Sequence, residues 1–133
     1  VSHNIKLSGV KITDLGLLGD VIRSVSGGLC VLDTATKTFR TYRGEDPSCD
    51  AVIKMPGMWD IGLRKQGDEY AAVMESALMH QKTPLGVMGA PLGLVQQEIA
   101  LREGEYLAAQ NGWTSERVVG EKGRITLSVE MPA

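Results

Sequence analysis

Two histidines, two cysteines and a scatter of carboxylates are the residues of this chain with the means to carry chemistry, so their spacing is the first constraint on function. A zinc site gathers several Cys and His ligands at short helical or knuckle spacings. His3, Cys30, Cys49 and His80 show no such spacing, which leaves no metal-ligand set. A nucleophile needs a base within hydrogen-bond reach. Cys49 and His80 have no nucleophile-elbow context to argue for that proximity, and Cys30, in Leu29-Cys30-Val31-Leu32, reads as a small buried hydrophobe. Two cysteines make no disulfide framework, so both are expected as free thiols. Glu45, Asp46 and Asp50 crowd one loop, but a calcium loop requires regularly spaced oxygens and a closing Glu, so a solvated turn is the better reading. No two carboxylates are spaced as a general acid and base. No catalytic residue is assigned, and the sequence leans away from an enzyme.

Two features point toward binding. Gly86-Val87-Met88-Gly89-Ala90-Pro91-Leu92-Gly93 precedes a helix, so the amides around Gly86, Gly89 and Gly93 could cradle a phosphate. The stretch lacks the Lys and Ser/Thr of a P-loop and misses the dinucleotide spacing. It reads first as a flexible connector, and no cofactor is implied. The six methionines are many for this length, and Met58, Met79 and Met88 fall near turns. With Leu85 and Val87 they form a candidate adaptable surface for another protein. Arg40, Tyr42 and Arg43 offer a little charge and stacking on one strand, with Phe39 on its opposite face. One Phe, three Tyr and a net charge of -2 argue against nucleic acid as the partner.

The elements that must position these residues follow from periodicity. A chain of 133 residues with 43% hydrophobic and 23% charged residues fits one domain spanning 1–133. No apolar run is long enough to span a membrane and the N-terminus is polar, so a cytoplasmic protein is expected. Val1 fits a GTG start codon translated literally, hence a bacterial or phage gene, and equally a processed or trimmed chain. Residues 5–10 alternate as a strand. Thr13 or Asp14 then caps a helix carrying Leu15, Leu18, Ile22 and Val25 on one face, ended by Gly27-Gly28. Residues 29–33 and 38–43 read as a strand pair. A meander of 51–55, 59–64 and 69–75 follows, with turns at Pro56-Gly57 and Gln66-Gly67-Asp68. Segment 76–93 loses its pattern and reads as the mobile part of the chain. A helix over 94–110 is expected to bury Leu94, Val95, Ile99, the Arg102 stem and Tyr106, with a Glu98–Arg102 pair and a stop at Asn111-Gly112. Residues 114–119 and 124–130 close the chain as a hairpin. The expected fold is α+β: a mainly antiparallel sheet of about eight strands in one layer, with two helices packed on it.

Several of these pieces together resemble a known family. They are Ser2-His3, Lys11-Ile12-Thr13-Asp14-Leu15, Asp50-Ala51-Val52-Ile53-Lys54, Trp59-Asp60-Ile61-Gly62-Leu63, Gly67-Asp68-Glu69-Tyr70, Asn111-Gly112-Trp113 and Glu121-Lys122-Gly123-Arg124-Ile125-Thr126-Leu127. In that order they resemble domain-of-unknown-function family 1257, small proteins of cyanobacteria, plastids and phages. Segment 83–93 and the loop 44–48 depart from the family pattern. The resemblance implies a fold and no catalytic residue. The functional expectation is therefore a non-enzymatic interaction or assembly module that binds another protein or a second copy of itself. In a phage it would be an accessory, host-modulating or virion protein, in the host cytoplasm or the virion. The alternative is a small-molecule or nucleotide binder, or a small enzyme, using loop 86–93.

Overall fold

A computed structural model of the chain describes residues 4–7 (backbone), 14–57, 59–121 and 124–132. The order is β1 (Asn4–Leu7), α1 (Leu15–Ser26), β2 (Val31–Asp33), β3 (Phe39–Thr41), β4 (Gly44–Asp46), β5 (Ala51–Lys54), β6 (Ile61–Gln66) and β7 (Glu69–Glu75). A 3-10 turn (Ser76–His80), α2 (Gly93–Gln110), β8 (Thr114–Val119) and β9 (Ile125–Glu130) complete it. The protein is α+β with two helices and antiparallel pairings. Its strands do not form one sheet of about eight, however. They divide into a five-stranded sheet ordered β1-β7-β6-β5-β2 and two two-stranded ribbons, β3-β4 and β8-β9. The chain also divides into two compact units, Val1–Val95 and Gln96–Ala133.

In the first unit the local signals act as their chemistry dictates. The Asp14 carboxylate caps α1, accepting from the amides of Gly16 (2.9 Å) and Leu17 (3.2 Å). Gly27, at φ 63°, closes the helix in the left-handed region that disfavours a side chain. Leu18, Val21 and Ile22 are buried, and a Cβ on Gly19 would sit 3.7 Å from Leu32, which places α1 against β2. The β5-β6-β7 meander holds its expected consecutive pairing, with Val52 opposite Gly62 and Gly62 opposite Val73.

The expected pairing of residues 29–33 with 38–43 does not occur. β2 pairs with β5 (Leu32 opposite Ile53), while β3 folds back on β4 (Arg40 opposite Glu45). Phe39 accounts for the difference. It is fully buried against the far face of the sheet, clustered with Cys49, Val52 and Val73. A Cβ on Gly62 would lie 2.6 Å from its ring, so the ring occupies the space a side chain there would fill. The sheet is therefore covered on both faces, and Ile61, Gly62 and Leu63 are all buried, where a half-buried strand would alternate.

In the second unit, Asn111-Gly112 ends α2 as expected, with Gly112 at φ 71° and the Trp113 amide donating to the Ala108 carbonyl at 2.8 Å. The buried face of this helix differs from expectation. Leu101 and Ala108 are buried, while Tyr106 is 64% exposed. Gly104 lies between those two positions, and a Cβ there would reach 2.7 Å from Leu127, so the hairpin approaches α2 over a face of small residues. Small residues give a weak periodic signal, which is why apolarity alone misplaced that face. In the first unit, at the start of the same helix, Val95 is fully buried as expected, whereas Leu94 is exposed.

The Phe39–Gly62 fit yields a direct expectation. Gly62→Ala should destabilise the protein by about 1–3 kcal/mol through overpacking. Combining it with Phe39→Leu should cost less than the sum of the single changes, because the two sites share one space. Urea unfolding of the four members of this cycle measures the coupling.

Candidate functional site

Segment 76–93 was expected to be loose, and it is instead extensively bonded. After the 3-10 turn over Ser76–His80, two successive tight turns follow, closed by backbone pairs between Thr83 and Gly86 (3.2 and 3.3 Å) and between Val87 and Ala90 (3.1 and 2.9 Å). The Thr83 hydroxyl accepts from the Leu85 amide and donates to the Pro91 carbonyl. Gly89 donates to Met79 at 2.6 Å, tying the second turn to the 3-10 turn. Leu85 and Leu92 anchor the segment in the core. Gly86 is required by close packing, since a Cβ there would lie 2.0 Å from the Ala90 carbonyl oxygen. Its glycines and prolines encode turns here.

This arrangement sorts the residues singled out from sequence. Val87 and Met88 stand out at 52% and 69% exposure. Leu85 is fully buried and so cannot belong to a surface patch; Met79 is half-buried, and Met58 lies outside the described residues. The amides of Gly86, Gly89, Gly93 and Leu94 donate to Thr83, Met79, Ala90 and Leu85. A phosphate cradle needs amides free to point at the ligand, and these four are already spent.

Beside the segment runs a groove of about 290 Å³ lined by Met55, Pro56, Gly57, Trp59, Leu78 and residues 81–84. That is the lower limit for a small-molecule pocket. Lys82 is its single titratable side chain among the described residues, which supplies no acid–base pair.

The densest polar cluster of the first unit serves the fold. Arg40 forks onto Asp60 (Nε to Oδ2 2.9 Å, Nη2 to Oδ1 2.8 Å) and also donates to the carbonyls of Gly57 and Met55. Asp60 further accepts from the amides of Arg40 and Met55. Burial pushes the Asp60 carboxyl up, but the hydrogen bonds from Arg40 and from the two amides outweigh it and hold the group below its usual range. Glu75, also buried, accepts from the Tyr42 amide at 2.5 Å. Both acids clamp the β3-β4 ribbon. Sequence reading passed over them because their role depends on that long-range docking. The strand-borne Arg40 is thereby committed, although Tyr42 is exposed.

Among the described residues, the remaining candidates do not assemble a reactive centre. Cys30 and Cys49 are free and buried. Burial pushes the Cys49 thiol up, and Asp46 and Asp50 push it further, the opposite of an activated nucleophile. His80 is exposed. Asp46 accepts from the Ser48 amide and Asp50 from the Lys65 amide, so both carboxylates are engaged locally. His3 lies outside the described residues.

In the second unit the expected Glu98–Arg102 pair is present at 2.8 Å. Arg117 of β8 extends it, bridging Glu98 (2.7 Å) and Glu105 (2.7 Å), two acids on one side of α2. Hydrogen bonds from Arg117 hold both carboxyls below their usual range.

No protein-family model, curated protein or solved structure matches the chain. No described helix is long and apolar enough to cross a membrane.

A group whose folded pKa is depressed contributes stability that is present above its unfolded value and lost as the pH falls through the folded one. Asp60, Glu98 and Glu105 all have that sign, so stability should hold above about pH 5 and fall as carboxyls with unfolded pKa near 4 protonate. Asp60→Asn should cost about 2–3 kcal/mol at pH 7, because it removes the charge from a buried carboxylate that accepts hydrogen bonds from two amides and a half-exposed Arg40. It should also flatten the acid limb. Denaturant melts from pH 7 down to pH 3 read both effects.

Proposed function

We propose that the protein is a non-enzymatic interaction module that presents the loop around Val87 and Met88 to a protein partner. The observation that carries this reading is the pairing of an exposed apolar tip with a backbone fixed beneath it. Val87 and Met88 project from a turn that is hydrogen-bonded to itself and to Met79, with Leu85 and Leu92 buried on either side. An apolar contact already held in place loses little conformational entropy on binding. Methionine adapts its shape to the surface it meets. The nearby apolar groove lined by Trp59 and Leu78 gives the same unit a concave feature for a partner side chain.

The alternative nucleotide-binding reading of loop 86–93 has less support. It requires free amides at Gly86, Gly89 and Gly93, and those amides are bonded within the loop.

Val87→Ser with Met88→Ser should leave the melting temperature within about 2 °C, since exposed substitutions seldom change stability by more than half a kcal/mol. In-cell cross-linking with mass spectrometry should identify partner contacts at this loop that the double variant loses. Millimolar ATP, GTP and NAD should not raise the melting temperature. A rise of several degrees that Gly89→Val abolishes would replace the interaction reading with the nucleotide one.

A further inference from the structure

β8 and β9 form a two-stranded sheet, so each has an outer edge with no strand beside it among the described residues. The two edges differ in chemistry. β8 carries Glu116 and Arg117 at its middle. A two-fold antiparallel pairing of β8 with itself, centred on either residue, sets Glu116 opposite Glu116 or Arg117 opposite Arg117. Like charges directly opposite are destabilising, and Arg117 is already held by Glu98 and Glu105. Charges at such positions guard an edge against pairing.

β9 has no such guard. Ile125-Thr126-Leu127-Ser128-Val129 contains no charge, proline or glycine. The Gly120 amide donates to the Arg124 carbonyl at 2.7 Å. Bonded positions alternate along an antiparallel ladder, so Arg124, Thr126, Ser128 and Glu130 bond toward β8. The backbone groups of Ile125, Leu127 and Val129 then point to the open edge, each with one donor and one acceptor.

Charges stand only at the two ends of this stretch. Arg124 and Glu130 are exposed, and neither forms an ion pair among the described residues. In a two-fold antiparallel pairing centred on Leu127, Arg124 of each copy falls opposite Glu130 of the other. Thr126 meets Ser128 on the same polar face. On the opposite face, the one that meets Gly104 of α2 through Leu127, Ile125 meets Val129 and Leu127 meets its own counterpart. That face is underfilled in a single copy. Val119 and Val129 are 71% and 41% exposed, and Leu101 and Ala108 are the buried hydrophobic residues of this unit among those described. A two-stranded ribbon is marginal alone and needs further strands or a helix against its apolar face; α2 meets this one at Gly104 and leaves Val119 and Val129 open.

We infer that the open edge of β9 is a self-complementary seam that pairs with β9 of a second copy, giving a four-stranded sheet ordered β8-β9-β9-β8. The inference goes beyond the partner-binding role of the Val87–Met88 loop and does not depend on it.

Sedimentation velocity of the full chain, from micromolar to hundred-micromolar concentration, tests it. The wild type should dimerise. Arg124→Glu and Glu130→Arg should each weaken the dimer at least tenfold by setting like charges opposite, and the double exchange should restore it. Val129→Pro removes one outward N–H without touching a β8 bond, as an edge strand tolerates, and should give a monomer with an unchanged circular dichroism spectrum. A monomeric wild type, a dimer indifferent to these changes, or a double exchange that restores nothing would each overturn the seam. Loop-specific cross-links that survive Val129→Pro keep the fate of the partner-binding reading separate from this one.

Discussion

The first unit depends on one contact, the Phe39 ring laid over Gly62. The chain has a single phenylalanine, and it is fully buried on the face of the sheet opposite to the one that carries Leu32 and α1. A ring pressed against a strand needs a position with no side chain, and Gly62, at the middle of the five-strand order, supplies it. Once Phe39 is docked there, β3 is drawn off the plane of the sheet and cannot lie beside β2. It takes β4 as its partner, and the β2 edge is left to β5. Arg40, next in sequence, then meets Asp60, and the Tyr42 amide meets Glu75. The buried acids are consequences of that docking. Each is an acceptor that helps hold the ribbon on the sheet, beside the backbone bond from the Asp60 amide to the Arg40 carbonyl.

The two units differ in how fully they satisfy themselves. In the first, the sheet is buried on both faces, and the Arg40–Asp60 ion pair is half enclosed and hydrogen-bonded at both ends. In the second, a helix and a hairpin bury little, and Arg117 bridging Glu98 and Glu105 links them. Exposed and half-exposed ion pairs contribute modestly to stability. The Arg117 network therefore does more to fix the hairpin's angle and register on α2 than to drive its folding. Apolar surface that remains open on a defined scaffold is the condition under which association lowers free energy most readily.

Legibility in the sequence followed the range of the interaction. The α1 cap and stop, the Asn111-Gly112 stop, the Glu98–Arg102 pair and the closing hairpin rest on residues a few positions apart, and sequence reading placed them. The β5-β6-β7 meander was readable for the same reason. The partner of residues 29–33 was not, because Phe39 decides it through a contact with Gly62 that no periodicity reports. Segment 83–93 was misread for a different reason. Glycine and proline mark a departure from helix and strand, and that departure can be disorder or consecutive tight turns. The outcome turns on whether the backbone groups find partners. Here Thr83, Gly86, Val87, Gly89 and Ala90 find them within the segment or at Met79. That also settled the candidate residues: turns closed this tightly push Leu85 inward and leave Val87 and Met88 outward.

The same accounting bears on what the molecule is built for. Several of its charged side chains are spent on one another: Arg40 on Asp60, Lys54 on Asp33, Arg117 on two glutamates. Its thiols are buried and pushed toward the neutral form. Among the described residues the open β9 edge and the exposed Val87–Met88 tip are surface features whose recognition depends on shape and register. Edges of this kind are usually blunted by a charge at mid-strand, and β8 has two. β9 carries its charges at the ends, of opposite sign and equidistant from Leu127. That placement does not repel a second copy, and it favours one register over its neighbours.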